Sequence, residues 1–185
     1  MNDATVGRDG TRTLIDADRL AVRVAEIGRE VTAMPTSGPL TVLGVMTGGL
    51  IFLADLVRHV RRPLALGVLH ARSYTGERSG PLSVSLEAMP DVAGRDVLLV
   101  DDIFDTGETL VRVRDEVAAA GAASVRTAVA LLKTVPRDTD YRPDWVGFEI
   151  PDEFVIGYGL DLDGQYRHLP DVCVRVAPTG AVDAS

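Results

Sequence analysis

A run of apolar residues that leads directly into two carboxylates constrains this chain more than any other feature of its sequence. Val97–Val100 are all apolar, and Asp101 and Asp102 follow them without a break. The residues Asp105–Thr109 then resemble a helix entry, because Asp and Thr are common N-cap residues and Gly107 allows close approach of the backbone. The segment therefore predicts a buried strand that ends near Val100, an acidic loop, and a helix that starts near Thr106.

Helical and strand-like patterns alternate along the rest of the chain. Apolar residues recur at helical spacing from Leu20 to Val31, while Leu40–Val45, Leu64–Leu69 and Val125–Leu132 are short apolar runs typical of buried strands. This alternation predicts an α/β fold with a mainly parallel sheet flanked by helices. Ligands of such folds bind beyond the carboxyl ends of the strands, where the acidic loop lies.

Composition excludes several classes of protein. The length of 185 residues is that of one domain, and the net charge of −8 with a pI of about 4.8 disfavours nucleic acid and anionic membranes as partners. The chain has neither an apolar run of the roughly 18 residues that span a bilayer nor a signal-peptide core, so we expect a cytoplasmic protein. The single cysteine, Cys173, stands among valines and is expected to be buried in a strand.

The acidic loop and the following helix entry suit a phosphorylated sugar. Carboxylates accept hydrogen bonds from sugar hydroxyls and coordinate divalent cations. Backbone N–H groups at a helix N-terminus, together with threonine hydroxyls, form a cradle for a phosphate. The alternative interpretation is an N-capped helix with acidic residues on the protein surface.

The segment Val97–Leu110, VLLVDDIFDTGETL, resembles the phosphoribosyl-pyrophosphate (PRPP) motif of type I phosphoribosyltransferases. Other segments resemble the hypoxanthine-guanine phosphoribosyltransferases, so that the resemblance covers residues 13–176. These segments are VMTGG at 45–49, RSYTG at 72–76, LLK at 131–133 and VGFEIPDEFVIGYGLDLDGQYRHLP at 146–170.

The resemblance implies the type I phosphoribosyltransferase fold, in which a small hood subdomain from the chain termini covers the sheet. We expect one domain over 1–185, with its core at about 36–145 and loose ends at 1–12 and 178–185. The hood is expected to use about 13–20 and 146–176. The implied reaction joins a 6-oxopurine to PRPP with Mg²⁺ as cofactor, giving IMP or GMP and pyrophosphate, in a homodimer or homotetramer.

The resemblance also implies roles for the acidic segment. Asp101 and Asp102 match the pair that contacts the ribose and Mg²⁺, although relatives more often have Glu at the first position. Asp105 matches the catalytic carboxylate that accepts the purine proton near N7. The 5′-phosphate loop is matched by Asp105, Thr106, Gly107, Glu108 and Thr109.

Further residues match the parts of the family that bind the leaving group and close over the site. The pyrophosphate-binding residues are matched by Thr47, Gly48, Gly49 and Arg167. Many relatives have lysine at the position of Thr47, and the family carries a cis peptide bond at the position of Met46–Thr47. Ser73 and Tyr74 match the tip of a loop that closes over the site and excludes water.

Four residues near the carboxyl half of the chain match the purine-binding part of the family: Lys133, Phe154, Val155 and Asp161. Lys133 is the only lysine among the 19 Lys and Arg residues, and an ammonium favours a 6-oxo over a 6-amino purine. Phe154 would stack on the base, and Val155 would contact its edge through the backbone. Asp161 also matches the carboxylate that holds a second Mg²⁺ through water.

Three alternatives remain open from the sequence. A regulatory protein on the same fold would bind PRPP as a signal and a nucleic acid as its target. A transferase for xanthine, adenine or a pyrimidine would share the acidic segment. A phosphosugar-binding module without catalysis would not need the carboxylate of Asp105.

Overall fold

The computed structural model describes residues 10–72, 83–85, 89–137 and 139–176. Within them the chain forms nine strands and three helices, and none of these helices is long and apolar enough to cross a membrane. In chain order they are β1 Thr11–Ile15, α1 Ala17–Ala33, β2 Leu40–Met46, α2 Leu50–His59, β3 Leu64–Arg72, β4 Ser83–Ser85, β5 Asp96–Phe104, α3 Glu108–Ala119, β6 Ser124–Lys133, β7 Trp145–Ile150, β8 Val155–Ile156 and β9 Val172–Arg175.

The larger sheet has the strand order β4-β3-β2-β5-β6-β7. All neighbours from β3 to β7 are parallel, and only β4 pairs antiparallel. Side chains of β5 alternate between two apolar cores, since Leu98 and Val100 pack with α1 and α2 while Val97 and Leu99 pack with α3. Burial of each such side chain is worth roughly 1.5–3 kcal/mol. The predicted parallel sheet flanked by helices is therefore confirmed.

A second, antiparallel sheet joins the two ends of the described chain in the order β1-β9-β8. It fits the hood of the type I phosphoribosyltransferase fold, and Cys173 in β9 is buried as expected. Its strands take in less of the chain than the expected range 146–176, because Trp145–Ile150 pairs with β6 and completes the larger sheet. The carboxylate of Asp171 accepts a hydrogen bond of 2.8 Å from the N–H of Ala17 and ties the hood to α1.

Helix α1 forms where the apolar repeat predicted it. The side chain of Asp16 accepts a hydrogen bond of 2.8 Å from the N–H of Arg19 and caps the helix. The buried residues Leu20, Val24 and Val31 form one stripe of the helix. This stripe packs against the same face of the sheet as α2, so α1 is part of the core rather than of the hood.

The predicted end of β5 near Val100 is wrong. The strand runs on to Phe104, because β5 continues to pair with β6 as far as Phe104 and Leu132, whereas its pairing with β2 stops at Val100. Asp101 and Asp102 therefore lie on a strand and not in a loop. Helix α3 likewise begins at Glu108 instead of Thr106, because Gly107 at its N-cap adopts a left-handed conformation with φ of 87°.

Candidate active site

The predicted site residues of β2 and β5 meet at the point where the strand order of the larger sheet reverses. The chain passes from β2 outward to β3 on one side and from β5 outward to β6 on the other, which leaves a crevice between the ends of β2 and β5. A cavity of about 260 Å³ occupies this crevice. Its lining includes Met46, Gly48, Asp101, Asp102 and Asp105. Crevices of this type are the usual ligand sites of open α/β sheets.

Asp101 and Asp102 form a hydrogen-bonded and largely desolvated pair. Asp101 is 7% exposed, and its carboxylate accepts a hydrogen bond of 3.0 Å from the N–H of Asp102. The carboxylate of Asp102 accepts a bond of 2.8 Å from the N–H of Ile103. Burial, and then the charge of Asp102, raises the pKa of Asp101 well above its usual range, and burial also raises the pKa of Asp102. A bound cation or hydroxyl donors would favour the charged form of the pair and so oppose this rise in pKa.

The glycines that follow β2 leave room for the acidic pair. A Cβ atom added to Gly48 would lie 1.6 Å from a carboxylate oxygen of Asp102. One added to Gly49 would lie 2.8 Å from the carbonyl oxygen of Val45. The peptide bond between Met46 and Thr47 is cis, as the resemblance implies. The loop before α2 is thus in van der Waals contact with Asp102.

The loop before α3 has the form expected of an anion-binding helix N-terminus. Gly107 has positive φ, and a Cβ atom at this position would lie 2.4 Å from the buried ring of Phe104. Glycine also has no side chain with which to cap the helix. The side chain of Thr106 is exposed, and its hydroxyl accepts a bond of 3.4 Å from the N–H of Glu108. Such a terminus attracts a phosphate through its N–H groups and its dipole.

Lys133 ends β6 and faces Asp105. Its ammonium lies 3.1 Å from the carboxylate of Asp105 and 3.1 Å from that of Asp152, and its side chain is 13% exposed. Burial alone lowers the pKa of Lys133, but the bonds to the two carboxylates outweigh it and raise the pKa above its ordinary value. The structure therefore brings together the candidate proton acceptor and the candidate purine-binding lysine.

Phe154 and Val155 lie close to that pair along the chain. Phe154 is 57% exposed, which is unusual for a phenylalanine, and it stands two residues after Asp152, the contact of Lys133. Val155 is buried in β8. An exposed aromatic ring beside a buried strand is suited to stack on a planar ligand.

The hood supplies Asp161 and Arg167, which are paired with each other. One guanidinium nitrogen of Arg167 lies 2.7 Å from the carboxylate of Asp161, and another donates a bond of 2.6 Å to the carbonyl oxygen of Gly159. A Cβ atom added to Gly159 would lie 2.3 Å from the carbonyl oxygen of Gly48. The hood loop therefore contacts the loop before α2, which brings Arg167 to the predicted pyrophosphate-binding glycines. Ser73 and Tyr74 lie outside the described residues.

Three contacts near the site were not expected from the sequence. Arg137 donates a bond of 2.7 Å to the carbonyl oxygen of Asp105, and Asp152 is the second carboxylate bound to Lys133. Tyr158 donates a bond of 3.0 Å from its hydroxyl to the carboxylate of Asp55 in α2, and burial raises the pKa of Tyr158. Sequence carried no signal for these contacts, since each joins residues at least 19 positions apart.

Comparisons with known proteins give consistent matches. Residues 16–163 match the model of the phosphoribosyl transferase domain. The hypoxanthine phosphoribosyltransferase of Salmonella typhimurium is 36% identical over 163 residues, covering 86% of this chain and 92% of that protein. The hypoxanthine-guanine phosphoribosyltransferase of Aquifex aeolicus is 36% identical, covering 87% and 92%. A solved hypoxanthine phosphoribosyltransferase from Staphylococcus aureus has a TM-score of 0.83 at 28% identity, covering 96% of this chain and 98% of that one.

Proposed function

The chain belongs to the phosphoribosyl transferase family, and from that premise we propose that it transfers the phosphoribosyl group of PRPP to a 6-oxopurine, hypoxanthine or guanine. The products are IMP or GMP and pyrophosphate, so the protein acts in purine salvage. A homodimer or homotetramer is part of the proposal.

The observation that carries the choice of base is the contact between Lys133 and Asp105, 3.1 Å apart at the ends of adjacent strands. A 6-oxopurine presents O6 and N7 side by side on one edge. The ammonium of Lys133 would donate to O6, while the carboxylate of Asp105 would accept the proton of N7. A 6-amino group in place of O6 would leave two donors facing each other, which disfavours adenine.

The remaining site residues are assigned to the sugar and its phosphates. Asp101 and Asp102 would accept hydrogen bonds from the ribose hydroxyls, and the N-terminus of α3 would bind the 5′-phosphate. Thr47, with the backbone of the following glycines, would bind the pyrophosphate. The guanidinium of Arg167 would reach it from the hood, since its fork can bind two oxygens at once.

The bond changes follow from this arrangement. The bond between C1 of the ribose and the pyrophosphate oxygen breaks, and its electron pair leaves with the pyrophosphate. N9 of the purine forms the new bond to C1, and the proton of N7 passes to Asp105. Positive charge builds on the ribose ring before the new bond forms, and the carboxylates of Asp101 and Asp102 would stabilise it. Ser73 and Tyr74 would help to exclude water from C1, as the resemblance implies.

The donor set fits Mg²⁺. The described residues contain no group of three or more metal-binding side chains, but Mg²⁺ usually takes only one or two carboxylates together with substrate phosphates and water. Asp101 and Asp102 provide that pair, and their desolvation favours a bound cation. The carboxylate of Asp161 forms an ion pair with Arg167 and would also hold a second Mg²⁺ ion through water. Bound Mg²⁺ would neutralise the charge that develops on the pyrophosphate.

A spectrophotometric assay tests the proposal. The purified protein is incubated with PRPP and Mg²⁺ together with hypoxanthine, guanine, xanthine or adenine in separate reactions. We expect turnover with hypoxanthine or guanine and the appearance of IMP or GMP, with no turnover of adenine. Turnover of adenine alone, or of none of the four bases, would contradict the proposal. A gel shift with RNA at physiological salt is the matching test for a regulatory protein.

A further inference from the structure

One arginine links the backbones of the two residues that face the purine edge. The Nε atom of Arg137 donates a bond of 2.7 Å to the carbonyl oxygen of Asp105, and its Nη2 atom donates a bond to the carbonyl oxygen of Lys133. The guanidinium carbon lies 5.1 Å from the centroid of the Phe104 ring, which is buried. A half-buried side chain thus joins the loop after β5 to the end of β6.

This link stands where the regular pairing of the sheet ends. The β5–β6 ladder continues to Phe104 and Leu132, so Asp105 and Lys133 are the next residues on the two strands. Beyond Phe104 the chain turns through Gly107 into α3 and forms no further rung with β6. The guanidinium of Arg137 connects the two strand ends where backbone pairing has stopped, because it binds the carbonyl oxygens of both residues at once.

We propose that Arg137 is a positioning residue that fixes the distance between Asp105 and Lys133, and with it the fit of the purine edge. The inference rests on the proposed function, since it concerns the O6 and N7 contacts of the base. Arg137 itself touches neither base nor sugar in this scheme. It acts through the backbone carbonyl groups of the two residues that do.

The chemistry of arginine suits this task better than that of lysine. The planar guanidinium donates in two directions from one rigid group and stacks on an aromatic ring, here that of Phe104. An ammonium can reach one carbonyl oxygen but cannot reproduce both bonds and the stacking. Replacement of Arg137 by lysine should therefore restore only part of the function lost on replacement by glutamine.

The experiment compares Arg137→Gln and Arg137→Lys with a matched control, Arg23→Gln. Arg23 also binds backbone carbonyl oxygens, those of Val146 and Gly147 at 2.9–3.3 Å, but it does so on α1 and β7, away from the cavity. Melting temperature, kcat and the KM values of hypoxanthine and PRPP are measured for each variant. The control reports the cost of losing an arginine–carbonyl contact that has no part in purine binding.

For Arg137→Gln we expect kcat/KM for hypoxanthine to fall on the order of 10²-fold, the size of effect produced by displacing catalytic groups by about 1 Å. The KM of PRPP should stay within about twofold, because the altered contacts serve the base. For Arg137→Lys we expect a value of kcat/KM between those of the wild type and Arg137→Gln. If Arg137→Gln does not fold, the kinetics of Arg137→Lys test the inference in its place. Arg23→Gln should change only the melting temperature.

Kinetics of Arg137→Gln equal to those of Arg23→Gln, or equal increases in the two KM values, would overturn the inference. The wild type separates this result from a failure of the proposed function. A wild-type protein that turns over hypoxanthine while Arg137→Gln is unimpaired contradicts only the role of Arg137. A wild-type protein that turns over no 6-oxopurine contradicts the proposed function and the inference together.

Discussion

The ends of β5 and β6 are neighbours in one sheet but differ in how far their side chains are buried. The sugar-phosphate end, which comprises residues 101–104, Gly107 and Gly48, is held by buried contacts, since Asp102 fills the space beside Gly48 and the Phe104 ring fills that beside Gly107. The purine end comprises Lys133, whose side chain is 13% exposed, and its two exposed neighbours Asp152 and Phe154. The side chain of Asp152 is 69% exposed, and Phe154 is 57% exposed.

Under the proposed function, this difference would separate recognition of the sugar from choice of the base. Changes at the sugar-phosphate end must displace a buried carboxylate or ring, so they should affect every substrate that carries the phosphoribosyl group. Changes at the purine end remove ion-pairing or exposed side chains, so they should affect the base and leave folding and PRPP binding intact. Asp105 stands between the two ends, since it follows β5 and pairs with Lys133 of β6.

The largest effect is expected where the two ends meet. Asp105→Asn should lower kcat by about 10²–10⁴-fold, because the amide cannot accept the purine proton. The side chain of Asp105 is 48% exposed, so the melting temperature and PRPP binding should change little. Steady-state kinetics and isothermal titration with PRPP measure the two quantities. Wild-type turnover in this variant would remove Asp105 from the mechanism.

A smaller effect, confined to the base, is expected from Lys133→Ala. Loss of a hydrogen bond from a charged donor is worth roughly 1.5–3 kcal/mol, which corresponds to an increase of about 10–150-fold in the KM of hypoxanthine. The KM of PRPP serves as the internal control and should stay within about twofold. Equal increases in both KM values would show that Lys133 also contributes to PRPP binding. That result would contradict the separation of the two ends.

The complementary test at the sugar-phosphate end is Gly48→Ala. The added Cβ atom would lie 1.6 Å from a carboxylate oxygen of Asp102, and rotation of that short side chain is the least costly relief. We expect the KM of PRPP to rise about tenfold, within the roughly 1–3 kcal/mol that overpacking costs, with an unchanged preference among bases.

The control for Gly48→Ala is Gly94→Ala, at a glycine with positive φ whose added Cβ atom would meet nothing within 4 Å. It measures backbone strain alone and should lower the melting temperature without changing the KM of PRPP. A Gly48→Ala variant that binds PRPP as tightly as the wild type would show that Asp102 does not need its observed position.

Sequence was sufficient for the parts of the molecule that depend on local patterns. The alternation of strands and helices and the apolar stripe of α1 were predicted, because each is encoded within a few neighbouring residues. The extension of β5 to Phe104 was not, since it depends on a partner strand whose register no local pattern reveals. The contacts of Arg137 with Asp105 and of Tyr158 with Asp55 span 32 and 103 positions. For the same reason, the residues that hold the site together are harder to predict than those that act in it.

The smallest effect is expected from Tyr158→Phe, which tests how the hood is held against the sugar-phosphate end. The buried hydroxyl of Tyr158 binds Asp55 of α2, and the next residue, Gly159, contacts the carbonyl oxygen of Gly48 and accepts a bond from Arg167. Loss of one such hydrogen bond costs about 0.5–1.5 kcal/mol, which lowers the melting temperature of a chain of this size by roughly 1–6 °C.

The surroundings of Asp55 and Gly159 predict that loss of the Tyr158–Asp55 hydrogen bond lowers stability more than it weakens PRPP binding. Asp55 is only half-buried, so water can replace the lost hydroxyl at its carboxylate, and Gly159 is still held by its bond from Arg167. The KM of PRPP should therefore rise by less than about threefold, which corresponds only to the lower end of that range of about 0.5–1.5 kcal/mol, even as the protein melts earlier. A larger rise in the KM of PRPP with little change in melting temperature would mean that the pyrophosphate contacts depend on the position of the hood. The geometry of the sugar-phosphate end would then depend on the hydrogen bond between Tyr158 and Asp55.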